Sequence, residues 1–162
     1  MKKLLERWRK VPSLFHLLVW SVFGISIGLF ISNVVIARAE VIGSSMEPTY
    51  YTGDSVFVCR LSKPERGDKV VVTEADGKNV IKRVIGMPGD VIQVSDGRVY
   101  IDGSYYEEDY TTEGYYNGGI AEEPLSLKDN EYFIMGDNRA VSKDSRVIGP
   151  VSEDMILGVV IG

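Results

Sequence analysis

The sequence predicts an all-β domain of antiparallel sheets behind one N-terminal transmembrane helix. Three observations carry that expectation. From Val11 to Ala37 the chain holds no Asp, Glu, Lys or Arg. Past Ala37 it breaks into short β-branched runs separated by Gly, Asp and Pro. Between Glu40 and Gly162 no long amphipathic helical period can be traced.

The first element is basic. Residues 1–14 carry Lys2, Lys3, Arg7, Arg9 and Lys10 against Glu6, a net of +4. Residues 15–37 follow as the expected transmembrane anchor, dominated by Leu, Val, Ile, Phe and Gly. At 1.5 Å per residue such a helix reaches ~35 Å, enough for a hydrocarbon core of about 30 Å. It shows no polar stripe of the kind a helix in a soluble core carries, and Gly24 and Gly28 are tolerable within it. The cationic flank places the N-terminus in the cytoplasm and the rest of the chain outside. Ala37-Arg38-Ala39 has the small-x-small form of a cleavage site. A secretory signal core runs to roughly 7–15 residues, so the longer stretch here reads as a retained anchor.

Residues 38–162 form the expected extracytoplasmic domain. Strands are predicted at Ser55–Cys59, Lys69–Thr73, Asn79–Ile85, Val91–Ser95, Arg98–Ile101, Glu131–Met135 and Met155–Ile161. Asp76-Gly77, Asp96-Gly97 and Asp102-Gly103 are turn dipeptides, and Ser95-Asp96-Gly97-Arg98 reads as a tight hairpin. The Tyr-, Glu- and Gly-rich stretch 104–130 has weak strand pattern and is expected to be a solvated surface loop.

Composition narrows the chemistry. The whole chain carries −5, so residues 15–162 carry −9, and an acidic domain speaks against nucleic acid as a partner. Cys59 is the only cysteine, so no internal disulfide forms; its strand setting suggests a small packed thiol. Cys/His zinc spacing is absent, and neither metal nor cofactor is expected. The sole histidine, His16, lies in the apolar run, so this chain cannot build a Ser-His-Asp or Cys-His site by itself.

Three clusters remain: Gly43-Ser44-Ser45-Met46-Glu47-Pro48-Thr49, Ile81 through Asp90, and Gly136-Asp137-Asn138-Arg139 running on through Ser142 to Asp144-Ser145-Arg146. Each alone reads as ordinary turn chemistry. Together they resemble the type I signal peptidases. The serine block S-M-x-P-T matches Ser45-Met46-Glu47-Pro48-Thr49, and the lysine block K-R-V-x-G-x-P-G-D matches Lys82 to Asp90. The block G-D-N-x-x-x-S-x-D-S-R matches Gly136-Asp137-Asn138 with Ser142, Asp144, Ser145 and Arg146. Gly53-Asp54-Ser55-Val56 is similar to the family's intervening strand block.

The resemblance implies a signal-peptidase-like β-fold, single-pass in a bacterial cell membrane with its catalytic domain outside. It implies a serine endopeptidase that removes signal peptides from secretory preproteins after a small residue. Ser45 would be the nucleophile, Lys82 its general base and Ser142 the hydroxyl orienting the Lys82 amine. Asp137, Arg139, Asp144 and Arg146 would hold the surrounding loop through ion pairs. The oxyanion donor would be the Ser45 backbone N–H, since Gly43 stands where some members have a further serine.

Elementary chemistry agrees with that assignment. A serine hydroxyl needs a base during attack, and neutral lysine is the one available. Val80 and Val84 share the Lys82 face of an alternating strand, while Arg83 faces the other way. Apolar neighbours lower a lysine pKa, whereas a guanidinium stays charged. Ser45 lies eight residues past Ala37, at most ~29 Å along the chain, a tether suited to a substrate leaving the same bilayer. Its chain would bind extended against a sheet edge. Among rivals, a catalytically silent relative would lack Ser45 or Lys82. A self-cleaving repressor would carry a DNA-binding domain where the anchor lies. Penicillin-binding chemistry needs S-x-x-K, and Pro48 stands three after Ser45. An anchored β-domain that only binds a partner would leave Ser45 unlabelled by an acylating probe.

Overall fold

The structure is a computed structural model and describes residues 13–31, 35–74, 77–111 and 116–161. The chain divides into two compact units, residues 1–36 and 37–162. Most of the basic segment expected at 1–14 lies outside the described residues.

In the first unit, helix α1 spans Ser13–Phe30. Its large apolar side chains are exposed around the whole circumference, Leu14, Val22, Phe30, Trp20 and Leu17 together covering every direction at 100° per residue. Eighteen residues of helix reach ~27 Å, and among the described residues no helix is long and apolar enough to cross a membrane. The expected helical stretch to Ala37 is corrected at its end, where strand β1 occupies Ile36–Glu40. Ala37 and Ala39 are partly covered and Arg38 and Glu40 exposed. This two-residue alternation was hidden inside the run of apolar residues.

The second unit is all-β. After β1 come β2 (Ser55–Cys59), β3 (Lys69–Thr73), β4 (Asn79–Gly86), β5 (Val91–Ser95), β6 (Arg98–Ile101), β7 (Ser104–Tyr106), β8 (Leu125–Ser126), β9 (Glu131–Met135), β10 (Val151–Ser152) and β11 (Ile156–Ile161). A single-turn helix, α2, covers Ser145–Ile148. The strands form a seven-stranded sheet ordered β1-β2-β11-β3-β4-β9-β10 and a four-stranded sheet ordered β7-β6-β5-β8. Every pairing between β2 and β11 in register is antiparallel.

The hairpin at Asp96-Gly97 forms as the dipeptide predicts. Ser95 pairs with Arg98, and Asp96 and Gly97 take φ of 51° and 70°. Two positive φ values in succession give the turn whose twist matches the flanking strands.

Strand β4 organises the core. Its Val80 and Val84 pack with Val70, Val72, Ile134 and Val151. Ile81 packs with Val41, Val56, Val58, Val71 and Val160 on the opposite face of the sheet. Farther along, Ile85 joins Phe133 and Met135 against Ile92, Val94 and Val99 of the small sheet. Lys82 pairs with Val70 across β3. Lys82 therefore projects into a cluster of valines.

Candidate active site

The lysine position follows from strand alternation. Lys82 is 3 % exposed, and its Nζ donates to Ser45 Oγ at 2.8 Å. Burial lowers the Lys82 pKa from its ordinary value. The carboxylates of Asp144, Glu74 and Asp137 pull it back up, and the Arg146 guanidinium adds to the lowering.

Ser45 sits in the turn that joins β1 to β2. Gly43 enters that turn at φ 89°, with open space where a Cβ would point. A serine there would fit sterically and be strained in its backbone, which accounts for glycine at this position. Met46 next to Ser45 is 1 % exposed and plugs the turn into the domain. Glu47 N–H donates to Ser44 O and Tyr50 N–H to Met46 O; neither bond uses the Ser45 N–H.

The third cluster docks onto this turn. Asn138 N–H donates to Ser45 O at 3.1 Å, and Asn138 Nδ2 to Ser44 O at 3.1 Å. A Cβ on Gly136 would lie 2.4 Å from Ser45 O and 2.3 Å from Ser142 Oγ. Only glycine admits the Ser45 backbone this closely. Ser142 Oγ is thus packed beside the same glycine as Ser45. It is buried and makes no hydrogen bond among the described residues, to Lys82 or any other group. The Asp144 carboxylate is close enough to feel this hydroxyl without a bond of normal geometry.

Ion pairs join the three clusters. Asp137 is fully buried and receives Arg83 Nε at 2.8 Å and Nη2 at 2.6 Å, a two-pronged pair. Thr49 Oγ1 donates to the same carboxylate, and Arg83 Nη1 reaches Gly67 O at 2.8 Å. Asp144 pairs with Arg146 at 2.8 and 2.9 Å and receives Gly136 N–H at 3.0 Å. Burial alone would raise the Asp144 pKa; the Arg146 pair, together with the Gly136 N–H, holds it below its ordinary value. Arg139 is paired with Glu108, Nη1 to Oε2 at 2.8 Å and Nη2 to Oε1 at 2.6 Å. Burial works against that guanidinium's charge, but the Glu108 hydrogen bonds leave its pKa raised.

The 104–130 stretch is corrected on this point. Besides β7 and β8, it supplies Glu108 to Arg139 and lays Tyr110 under Arg83, 3.8 Å from guanidinium carbon to ring centroid. Tyr116 donates its ring face to Arg139 and Arg146 and accepts Arg139 Nη1 at 2.8 Å. It is the inner wall of the arginine network. Thr49, Glu108, Tyr110, Tyr116 and Asn138 are residues to which sequence reasoning gave no role. The one available signal was an acid in a tyrosine-rich loop of a chain with three clustered arginines. Cys59 is half-buried on β2 opposite Val159, away from these contacts.

Two recesses flank the Ser45–Lys82 pair. One of about 80 Å³ is lined by Ser45, Ile42, Met46 and Ile81. The other, about 340 Å³, is lined by Lys82 over Val72, Ile134, Val151 and Met155, with Glu74 and Lys143. Val80 borders both.

Residues 14–161 match the family described as signal peptidase, peptidase S26. The chain is 35 % identical over 153 residues to a signal peptidase I of Bacillus licheniformis, covering 85 % of this chain and 80 % of that protein. It is 33 % identical over 154 residues to signal peptidase I V of Bacillus subtilis strain 168, covering 86 % and 92 %. A crystal structure of a signal peptidase I from Enterococcus faecalis V583 superposes with a TM-score of 0.50 at 30 % identity, covering 60 % of this chain and 97 % of that one. Family match, relatives and shared β-fold agree: the chain belongs to the signal peptidase family, peptidase S26, and is a serine endopeptidase.

Proposed function

We propose that the chain removes N-terminal signal peptides from secreted preproteins after a small residue, with Ser45 as nucleophile and Lys82 as general base. The observation that carries this reading is the 2.8 Å contact between Lys82 Nζ and Ser45 Oγ on an apolar sheet face. Neutral Lys82 takes the Ser45 proton as Oγ attacks the scissile carbonyl carbon. The resulting oxyanion is met by the Ser45 N–H. The C–N bond then breaks, and Lys82 returns its proton to the leaving amine. Water, deprotonated by Lys82, hydrolyses the acyl-Ser45 ester and frees Oγ. The recess of about 80 Å³ beside Ser45 suits a small side chain before the scissile bond. Ser142 orients the Lys82 amine once substrate settles, its buried hydroxyl being uncommitted among the described residues. Asp137, Arg139, Asp144 and Arg146 hold the loop.

Purified chain should cleave a model preprotein at one bond, after Ala or Gly. Changing that residue to Phe should cost at least ~100-fold in kcat/KM, since the recess cannot hold the ring. Equal cleavage of both, measured by mass spectrometry of products, would refute the specificity.

The reading includes a single-pass anchor formed by the N-terminal segment, with the basic end cytoplasmic and the β-domain outside a bacterial cell membrane. The apolar circumference of α1 supports it, because exposed large apolar side chains on all sides need a lipid or protein cover. The partners are then preproteins and the bilayer, and the acidic charge of residues 15–162 leaves nucleic acid out. Full-length chain should stay with membranes in alkaline carbonate, and an impermeant label added outside intact cells should reach the β-domain. Release by carbonate, or labelling only after permeabilisation, would overturn anchor or orientation.

A further inference from the structure

We propose that the cleft lined by Lys82, Val72, Ile134, Val151 and Met155 is the leaving-side subsite. It would take the first residues of the released polypeptide, with Glu74 and Lys143 selecting among their charges. The inference rests on the Ser45–Lys82 dyad proposed above and adds to it where the second half of the substrate lies.

The dyad's two members open onto different recesses. Ser45 lines the small one and not the cleft; Lys82 lines the cleft and not the small recess. Acyl transfer makes unequal demands on the two. The carbonyl half of the substrate becomes bonded to Ser45 Oγ, so its side chain sits in the recess of about 80 Å³. The departing nitrogen must take a proton from Lys82 Nζ, and so must come within roughly 2.6–3.2 Å of it. The chain continuing from that nitrogen then runs past Lys82 into the cleft of about 340 Å³. Val80 forms the divide over which the scissile bond lies.

Volume and lining predict what each side accepts. A recess four times smaller selects small side chains before the bond, whereas the larger cleft admits bulky ones after it. Its floor is the valine face of β3, β4, β9 and β10, suited to an apolar side chain. Two opposite charges border it: Glu74, half-buried just past β3, and Lys143, exposed between Ser142 and Asp144. Ile148, 39 % exposed on α2, borders the same cleft. Alternate side chains of an extended leaving segment would meet floor and rim in turn.

The test uses two peptide sets cleaved by full-length chain in detergent. One set varies only the three positions after the scissile bond among Ala, Trp, Glu and Lys; the other varies only the residue before it. Ile148→Trp narrows the cleft and should lower the Trp/Ala ratio of kcat/KM about tenfold on the leaving side, with the acyl-side ratios unmoved. Glu74→Lys should shift the Lys/Glu ratio about tenfold toward Glu after the bond, and Lys143→Glu should shift it the opposite way. Leaving-side ratios within twofold of the parent chain in all three variants would overturn the subsite, as would equal shifts in both sets. An acylating probe separates this failure from that of the dyad. Ser45 labelled with unmoved ratios removes the subsite alone. Ser45 unlabelled and no peptide cleaved removes the dyad and the subsite with it.

Discussion

Lys82→Met should abolish cleavage and leave the folded domain more stable than the parent. Methionine matches lysine in length and has no proton to give or take, so the Ser45 hydroxyl would lose its proposed base. Removing one member of such a catalytic unit lowers kcat on the order of 10⁴-fold or more. Lys82→Arg should not rescue it, because a guanidinium stays protonated. The stability gain follows from the site's own electrostatics. Lys82 is 3 % exposed on a valine face, and burial lowers its pKa. Between the lowered folded value and the ordinary one, the unfolded chain binds more protons than the folded chain. Stability therefore rises with pH across that window, and at neutral pH the buried amine is a cost that methionine removes. Urea midpoints for the two proteins should differ near neutrality and converge toward alkaline pH.

On the proposed mechanism the same pKa sets the rate. Only neutral Lys82 would accept the Ser45 proton, so kcat/KM of the parent should climb with pH through a pKa lowered from that of a free lysine. The charged groups acting on it are Asp144, Glu74, Asp137 and Arg146, with Lys143 on the same cleft. Cleavage by Lys82→Met within tenfold of the parent, or a profile ascending only at acidic pH, would require another base.

Much of this was legible along the chain. Five of the seven expected strands occupy the residues predicted, because each joins β-branched alternation to a Gly or Asp turn. The other two shift by one residue at one end, β4 running on to Gly86 and β11 starting at Ile156 after a 3₁₀ turn. Strands β8 and β10 were invisible, for two residues carry no period. Strand β1 was absorbed into an apolar run whose alternation rests on two alanines. At the site, strand alternation placed Lys82 among Val80 and Val84 correctly. What escaped were partners distant in sequence. Glu108 read as a solvated acid because nothing local announces Arg139, 31 residues on. Of the four loop residues, only Asp144 and Arg146 pair with each other. Asp137 and Arg139 each turn to a partner outside their cluster.

That outside partnership makes Asp137 the residue whose loss should cost the fold most. Asp137→Ala should destabilise the domain by about 3–5 kcal/mol, the usual result of removing one partner from a buried ion pair. The Arg83 guanidinium would keep Gly67 O and the Tyr110 ring but lose both carboxylate bonds. Thr49 would lose its acceptor as well. These contacts also border the candidate active site. Arg83 adjoins Lys82 on β4, Thr49 lies four residues past Ser45, and Asp137 adjoins the Gly136 against which Ser45 O and Ser142 pack. The carboxylate thus ties all three clusters at one point, and on the proposed mechanism it would act on catalysis by positioning Ser45 against Lys82. Its loss should lower kcat far more than it raises KM, measured at a temperature where urea titration shows the variant still folded. Asp137→Asn retains an oxygen acceptor for Thr49 or Arg83 and should recover part of both stability and kcat. A folded Asp137→Ala variant with the parent's kcat would show that the knot carries stability alone and that another contact sets the 2.8 Å separation of Ser45 and Lys82.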